Sequence, residues 1–150
     1  GDLIIGAHGK SAAATLVERT TRFTLILALA QGKDSTALAD VLIEHANELP
    51  AMMRRSLTWD QGSEMAKHAA LTLATSMPVF FAHAHSPWER GTNENTNALI
   101  REYLPKAATI TDHQPYLTAI AEELNERPRA VLGFLTPREA LERLLVASTP

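Results

Sequence analysis

The order of the short β-prone segments restricts the fold of this chain more than any other feature. Three segments rich in apolar, aromatic and β-branched residues come first, at residues 2–5, 12–17 and 21–28,. The polar residues 18–20 separate the second segment from the third, which predicts a hairpin. A meander of this kind, followed by alternating strands and helices, predicts an α/β fold with a mixed sheet flanked by helices.

Alternation of strands and helices fills the rest of the chain. Further strands are predicted at residues 56–59 and 79–82. Helices are predicted from Asp34 or Ser35 to residue 49 and at about residues 63–75, 92–103, 114–126 and 137–147. Asp34 or Ser35 can cap the first of these helices, and Thr136-Pro137 can cap and start the last.

Length and composition describe an ordinary globular domain. The chain has 150 residues, of which 45% are hydrophobic and 21% charged, enough for one domain with a buried core. Cysteine is absent, which excludes disulfides and thiolate metal sites. The longest apolar run, residues 24–30, is too short to span a membrane, and no secretory signal is visible. We therefore predict a cytoplasmic protein without membrane association. We also predict that residues 1–150 are a fragment of a longer protein.

The net charge of −3 bears on possible partners. A stand-alone DNA-binding module gains most of its affinity by neutralising phosphates, so an acidic chain is a poor candidate for one. A nuclease core is not excluded, because a carboxylate-lined metal site is itself acidic.

Three acidic residues are candidates for such a site. Asp2 opens the first strand, Asp60 follows the strand 56–59, and Glu94 lies in the first turns of a helix. If the two strands are neighbours and the helix packs across their ends, the three carboxylates converge. Clustered anions repel one another, and a pair of hard divalent cations, Mg²⁺ or Mn²⁺, removes that penalty. The alternative is that the aspartates are solvated turn residues and that Glu94 stabilises the helix dipole.

Several sequence stretches resemble one known family. Residues 86–106 read SPWERGTNENTNALIREYLPK, residues 1–6 read GDLIIG, and residues 57–62 read LTWDQG. With residues 14–23 and 125–141, they resemble the integrase catalytic core of DDE-type insertion-sequence transposases, in the branch typified by insertion sequence thirty, related to retroviral-type integrases. The resemblance implies a ribonuclease-H-like fold, a five-stranded mixed sheet flanked by helices, which has the predicted order of elements.

The resemblance also implies an activity. It suggests a metal-dependent transposase core that cuts and transfers DNA strands, with Asp2, Asp60 and Glu94 as the catalytic triad binding two Mg²⁺ or Mn²⁺ ions. Its partners would be transposon ends and target DNA, bound by a homodimer or higher oligomer acting at the bacterial nucleoid. The residues expected to contact DNA are His85, Arg90, Asn97, Arg101 and Lys106.

Some of these roles have alternatives. Arg101 stands seven residues after Glu94, where the family usually carries a basic residue; it could bind a phosphate or pair with a nearby acid. Asn97 could contact DNA, orient Glu94 or belong to a polar helix terminus. For the whole chain, the alternatives are a ribonuclease-H-like nuclease without strand transfer and a catalytically silent interaction domain.

Overall fold

The structure of the chain, a computed structural model, describes residues 1–30, 32, 34–59, 65–82 and 91–147, except for the side chains of residues 91 and 93. Its strands are β1 (Asp2–Ile5), β2 (Ala12–Val17), β3 (Thr24–Leu29), β4 (Leu57–Trp59) and β5 (Val79–Phe81). Its helices are α1 (Ser35–Glu48), α2 (His68–Thr75), α3 (Gly91–Ile100), α4 (Gln114–Asn125) and α5 (Pro137–Ala147). No helix in these ranges is long and apolar enough to cross a membrane.

Local signals explain where the best-predicted helices begin. Asp34 caps α1, because its side chain accepts a hydrogen bond from the backbone N–H of Ala37 at 2.9 Å,. At the start of α5, the Thr136 hydroxyl accepts from the backbone N–H of Glu139 at 3.1 Å, and Pro137 occupies the first turn,. Both predicted caps are therefore confirmed.

Two predicted helix boundaries are wrong. The helix predicted over residues 92–103 ends as α3 at Ile100, and residues 101–103 form turns that carry Leu104 into the core. The helix predicted over residues 63–75 begins only at His68, since residues 65–67 form turns and residues 63 and 64 lie outside the described ranges.

The strands form two sheets. An antiparallel sheet has the order β1-β2-β3, and β4 pairs with β5 in parallel. The described strand pairs thus show three plus two strands rather than the predicted five-stranded sheet. The two sheets meet at one edge, where the backbone nitrogen of Gly1 donates to the carbonyl of Thr58 at 2.6 Å.

Apolar side chains cover both faces of the three-stranded sheet. Leu3 packs with α1, α2 and Trp59 on one face, whereas its neighbour Ile4 packs with α3 and α4 on the other. This alternation follows from the two-residue period of a strand. It also sets the position of the functional candidates, because Asp2 shares the face of Ile4 and therefore lies on the α3 side.

Candidate active site

Asp2 stands at the start of β1, and its carboxylate accepts hydrogen bonds from Leu3 and Asn97. Its Oδ1 accepts from the backbone N–H of Leu3 at 2.8 Å, and its Oδ2 accepts from Nδ2 of Asn97 at 3.1 Å. The residue is half-buried. Bonds from two different elements therefore restrain the carboxylate in one orientation.

The glycines of the stretch GDLIIG are required by close packing. A Cβ at Gly1 would lie 2.4 Å from a ring carbon of Trp59 and 2.9 Å from a methyl group of Leu16. A Cβ at Gly6 would lie 2.2 Å from the Ser11 hydroxyl. Glycine at these positions lets β1 begin against the end of β4 and lets the chain turn tightly after the strand.

Asn97 connects α3 to β1 and β2. Its Nδ2 donates to Asp2, 95 positions away in the chain, and its Oδ1 accepts from the hydroxyl of Thr15 at 3.0 Å. Thr15 is fully buried and is the β2 partner of Asp2. Because an ionised carboxylate can only accept, the amino end of the Asn97 amide must face Asp2. The sheet and the helix are thus joined through the side chain of Asp2 itself.

Glu94 lies in the first turn of α3, about one helical turn before Asn97,. It is exposed. Asp2 and Glu94 both line one open cavity of about 390 Å³, whose other lining residues are largely apolar and include Leu42 and Trp59. The structure therefore brings two of the three predicted acids to the same cavity.

Asp60 lies outside the described residues. The residue before it, Trp59, ends β4 and packs against Gly1, the residue before Asp2. Within the described ranges, no group of three His, Asp or Glu residues is placed to hold a metal ion. The assignment of Asp60 as the third ligand stays a prediction.

The donor atoms at this cavity suit a hard cation. Asp2 and Glu94 offer carboxylate oxygens, and the chain contains no cysteine. The hydrogen bonds from Leu3 and Asn97 hold both oxygens of Asp2 in a fixed orientation. Oxygen ligands favour Mg²⁺ or Mn²⁺ over zinc. The residues present therefore fit the predicted metal.

Arg101 differs from its predicted environment. It follows the last residue of α3, and its Nη2 donates to the carbonyl of Ile5 at 2.9 Å. Its Nη1 lies 3.3 Å from the carbonyl of Leu104. The guanidinium thus ties the end of β1 to the turn after α3, and its predicted contact with a DNA phosphate stays a prediction.

The other predicted DNA contacts divide into three cases. Lys106 is exposed in the turn after α3. Asn97 is bonded to Asp2 and Thr15, which makes orientation of a carboxylate its visible role. His85 and Arg90 lie outside the described residues.

Two contributors near the cavity were not predicted. Thr15 orients Asn97, and Arg22 donates through its Nη1 to the hydroxyl of Thr92 at the start of α3. A buried hydroxyl within the apolar strand 12–17 is a signal that could have indicated Thr15. The position of Arg22 depends on a contact across 70 residues of sequence, and nothing in the local pattern indicates it.

Curated transposases are similar to this chain over nearly its whole length. The transposase InsI for insertion sequence element IS30C of Escherichia coli is 47% identical over 144 residues, which cover 95% of this chain and 37% of that protein. The transposase for IS1086 of Cupriavidus metallidurans is 45% identical over 150 residues, 99% of this chain and 44% of that protein. The transposase for IS4351 of Bacteroides fragilis is 35% identical over 147 residues, 96% of this chain and 44% of that protein. The chain thus spans about two fifths of the length of these relatives. It matches no protein-family model.

A solved structure shares the fold. The catalytic core domain of BIV integrase superposes with a TM-score of 0.70, covering 99% of this chain and 97% of that one, at 15% sequence identity. At this identity the likeness shows the fold alone. It confirms the predicted ribonuclease-H-like α/β architecture.

Proposed function

This chain belongs to the insertion-sequence transposases of the IS30 family, and from that premise we propose that it is the catalytic core of a DNA transposase. In this proposal the protein cuts DNA at the ends of a mobile element and joins the freed 3′ ends to target DNA. Both steps are phosphoryl transfers that depend on divalent metal ions.

One observation carries the proposal. Asp2 and Glu94 are 92 positions apart in the sequence and line the same open cavity, and Asn97 bonds directly to the Asp2 carboxylate. A fold does not need a polar link of this kind to pack a helix on a sheet. The arrangement is what a site needs if its carboxylates must keep a fixed separation.

We propose that Asp60 is the third acid of this site. The support comes from its described neighbours: Trp59 packs against Gly1, and the Thr58 carbonyl accepts from the Gly1 nitrogen. Pairing of β1 with β4 would unite the two sheets into one five-stranded sheet.

The three carboxylates of Asp2, Asp60 and Glu94 would together hold the metal. Two divalent ions held there would supply positive charge to the attacking and leaving oxygens of a phosphodiester. The protein's own share is positioning. The N–H of Leu3 and the amide of Asn97 orient Asp2, and α3 carries Glu94 into the same cavity.

The proposal includes the partners of the whole protein. Its substrates are the two ends of an element and a target DNA. Both ends must be processed, so we propose that it acts as a homodimer or a larger oligomer, in the bacterial cytoplasm at the nucleoid.

The test uses the full-length protein with DNA that carries its element ends, a target plasmid and Mg²⁺. We expect nicked ends and joined products, and a loss of both of at least about 100-fold in Asp2→Asn and Glu94→Gln. Glu142→Gln is the matched control, because Glu142 is exposed on α5 and does not line the cavity.

The outcomes separate the competing functions. Cleavage without any joined product would support a nuclease on the same fold instead. Normal activity in Asp2→Asn would contradict the assignment of this site. An inactive wild-type protein that is folded and binds Mn²⁺ would support a catalytically silent domain.

A further inference from the structure

Three arginines from two separate parts of the chain come together beside α3. Asn125, at the end of α4, bonds to both backbone groups of Thr24 at the start of β3, with distances of 2.9 and 3.0 Å. Arg22 lies just before Thr24, and Arg127 and Arg129 lie just after Asn125. The pairing of α4 with β3 therefore draws the three guanidinium groups into one cluster, named here the arginine cluster.

The charges in the arginine cluster are poorly compensated. Burial, followed by the positive charges of Arg127 and Arg22, lowers the pKa of Arg129. Arg127 has a carboxylate at 3.8 Å, that of Glu102. Within the described ranges, neither Arg22 nor Arg129 has an acid at ion-pair distance. Like charges that act on one another disfavour the folded state unless an anion offsets them.

The bonds of Arg129 leave part of its donor capacity unused. Its Nη2 donates to the carbonyl of Leu124 at 3.2 Å. Its Nε is buried and, in the described part of the chain, has no hydrogen-bond partner. A buried donor without an acceptor is rare in folded proteins and usually has a functional or structural reason.

The cluster lies next to the candidate active site. Arg22 donates to the hydroxyl of Thr92, and Thr92 lines the same cavity as Asp2 and Glu94. Arg22 adopts a left-handed backbone conformation with φ of 64°, which is uncommon for a residue other than glycine. The turn between β2 and β3 thus directs one cation towards the start of α3.

We infer that the arginine cluster binds the phosphodiester backbone of a DNA strand that enters the candidate active site. The inference rests on the proposed function and adds a binding site to it. Guanidinium groups bind phosphate oxygens through paired, charge-assisted hydrogen bonds. On a chain with a net charge of −3, a local cluster of cations is what would attract DNA to this edge of the cavity.

The experiment measures DNA binding by the full-length protein, without turnover. Fluorescence anisotropy of a labelled duplex in Ca²⁺ is recorded between about 50 and 200 mM salt. The test variant is Arg22→Gln with Arg129→Gln. The control, Lys67→Gln with Arg143→Gln, removes the same charge from two exposed residues outside the cluster.

The expected result is a change in salt dependence. Each lost phosphate contact lowers the slope of log K against log salt by about 0.9, so the double variant should lose about 1.8. Its affinity should fall by roughly 10- to 100-fold, equally for unrelated sequences. Arg22→Lys should retain most of the slope. If the double variant fails to fold, Arg22→Gln alone should still lower the slope by about 0.9.

Other results would overturn the inference. A slope equal to that of the control variant would show that the cluster makes no phosphate contact. If inorganic phosphate at constant ionic strength displaced the labelled DNA, or if polyglutamate displaced it as effectively as unlabelled DNA does, the site would belong to another anion. Failure of the proposed function gives a different pattern, in which the cluster variants lose binding while the wild-type protein neither cuts nor joins DNA.

Discussion

Two helix–strand junctions in this molecule both contain side-chain amides, which serve different purposes. In one, α4 lies along β3; in the other, α3 lies across β1 and β2. Both junctions pack apolar residues of the same cluster, and both add hydrogen bonds from Asn or Gln. The difference is what those amides bind.

At the junction of α4 with β3, the amides bind backbone. Asn125 bonds the N–H and carbonyl of Thr24, and Gln114 bonds the N–H of Ala28 and the carbonyl of Ile26 at 2.7 Å each. β3 is an edge strand of its sheet, so these groups have no strand partner on that side among the described residues. The two amides complete the edge and protect it from pairing with another chain.

At the junction of α3 with β1 and β2, the amide binds side chains. Asn97 bonds the Asp2 carboxylate and the Thr15 hydroxyl, whose backbone groups are already paired in the sheet. This bond adds little that the sheet needs, and it fixes a group that can ligate metal. The comparison predicts that one junction determines stability and the other activity.

The largest effect is expected at the stability junction. Asn125→Ala leaves the N–H and carbonyl of Thr24 without partners in a buried place, because Asn125 and Thr24 are almost fully buried. The cost should be about 2–4 kcal/mol in the free energy of unfolding. Thermal unfolding should show a melting temperature lower by roughly 5–15 °C. At saturating DNA, the rate of cleavage per folded molecule should remain within about twofold, because the arginine cluster held by this junction affects the affinity for DNA rather than the step at Asp2 and Glu94; a large loss of that rate would break the comparison.

A smaller effect, of the opposite kind, is expected from Asn97→Ala. Residues that orient a metal ligand typically contribute about 10- to 100-fold to metal affinity or activity, equal to about 1.4–2.7 kcal/mol. The rate of end cleavage should fall by that factor, and more Mn²⁺ should be needed for half-maximal rate. The melting temperature should change by less than about 4 °C.

Asn95→Ala is the control for that variant, since Asn95 is exposed on the same helix. Like Asn97→Ala, it replaces a residue that disfavours a helix with alanine, which favours one. Unlike Asn97→Ala, it should leave the metal dependence unchanged. If Asn97→Ala instead lowers the melting temperature as far as Asn125→Ala does, without altering the metal dependence, the role given to Asn97 is wrong.

The sequence allowed the order of elements to be predicted because those signals are local. The Asp34 cap and the Thr136-Pro137 start lie within a few residues of the helices they define. The end of α3 depends instead on Leu104, which packs in the core and requires the chain to turn after Ile100. Burial of one side chain overrides the helical pattern of residues 101–103, and that cannot be read from the pattern alone.

For the site, the sequence indicated acids but not their supports. Asp2 and Glu94 stood out as carboxylates at element ends, and the structure brings them to one cavity. The bond from Thr15 to Asn97 joins residues 82 positions apart, and that from Arg22 to Thr92 joins residues 70 apart. A single sequence contains no information on such pairs, so Arg22 was not predicted and Asn97 was predicted as a DNA contact rather than as a partner of Asp2.

The smallest effects are expected when the same kind of substitution, threonine to valine, is made at each junction. Thr15→Val and Thr24→Val each replace a fully buried hydroxyl with a methyl group in the same sheet. Thr15 donates to Asn97, so its loss frees the amide to turn its oxygen towards Asp2, where two acceptors repel,. We expect cleavage to slow by about three- to tenfold, near 1 kcal/mol.

The Thr24 hydroxyl bonds only the carbonyl of Arg22 among the described residues, so Thr24→Val should affect stability by about 1 kcal/mol and leave the cleavage rate unchanged. Parallel rate and melting measurements on both variants decide the matter, since equal effects on the cleavage rate would mean that the orientation of Asn97 does not depend on Thr15.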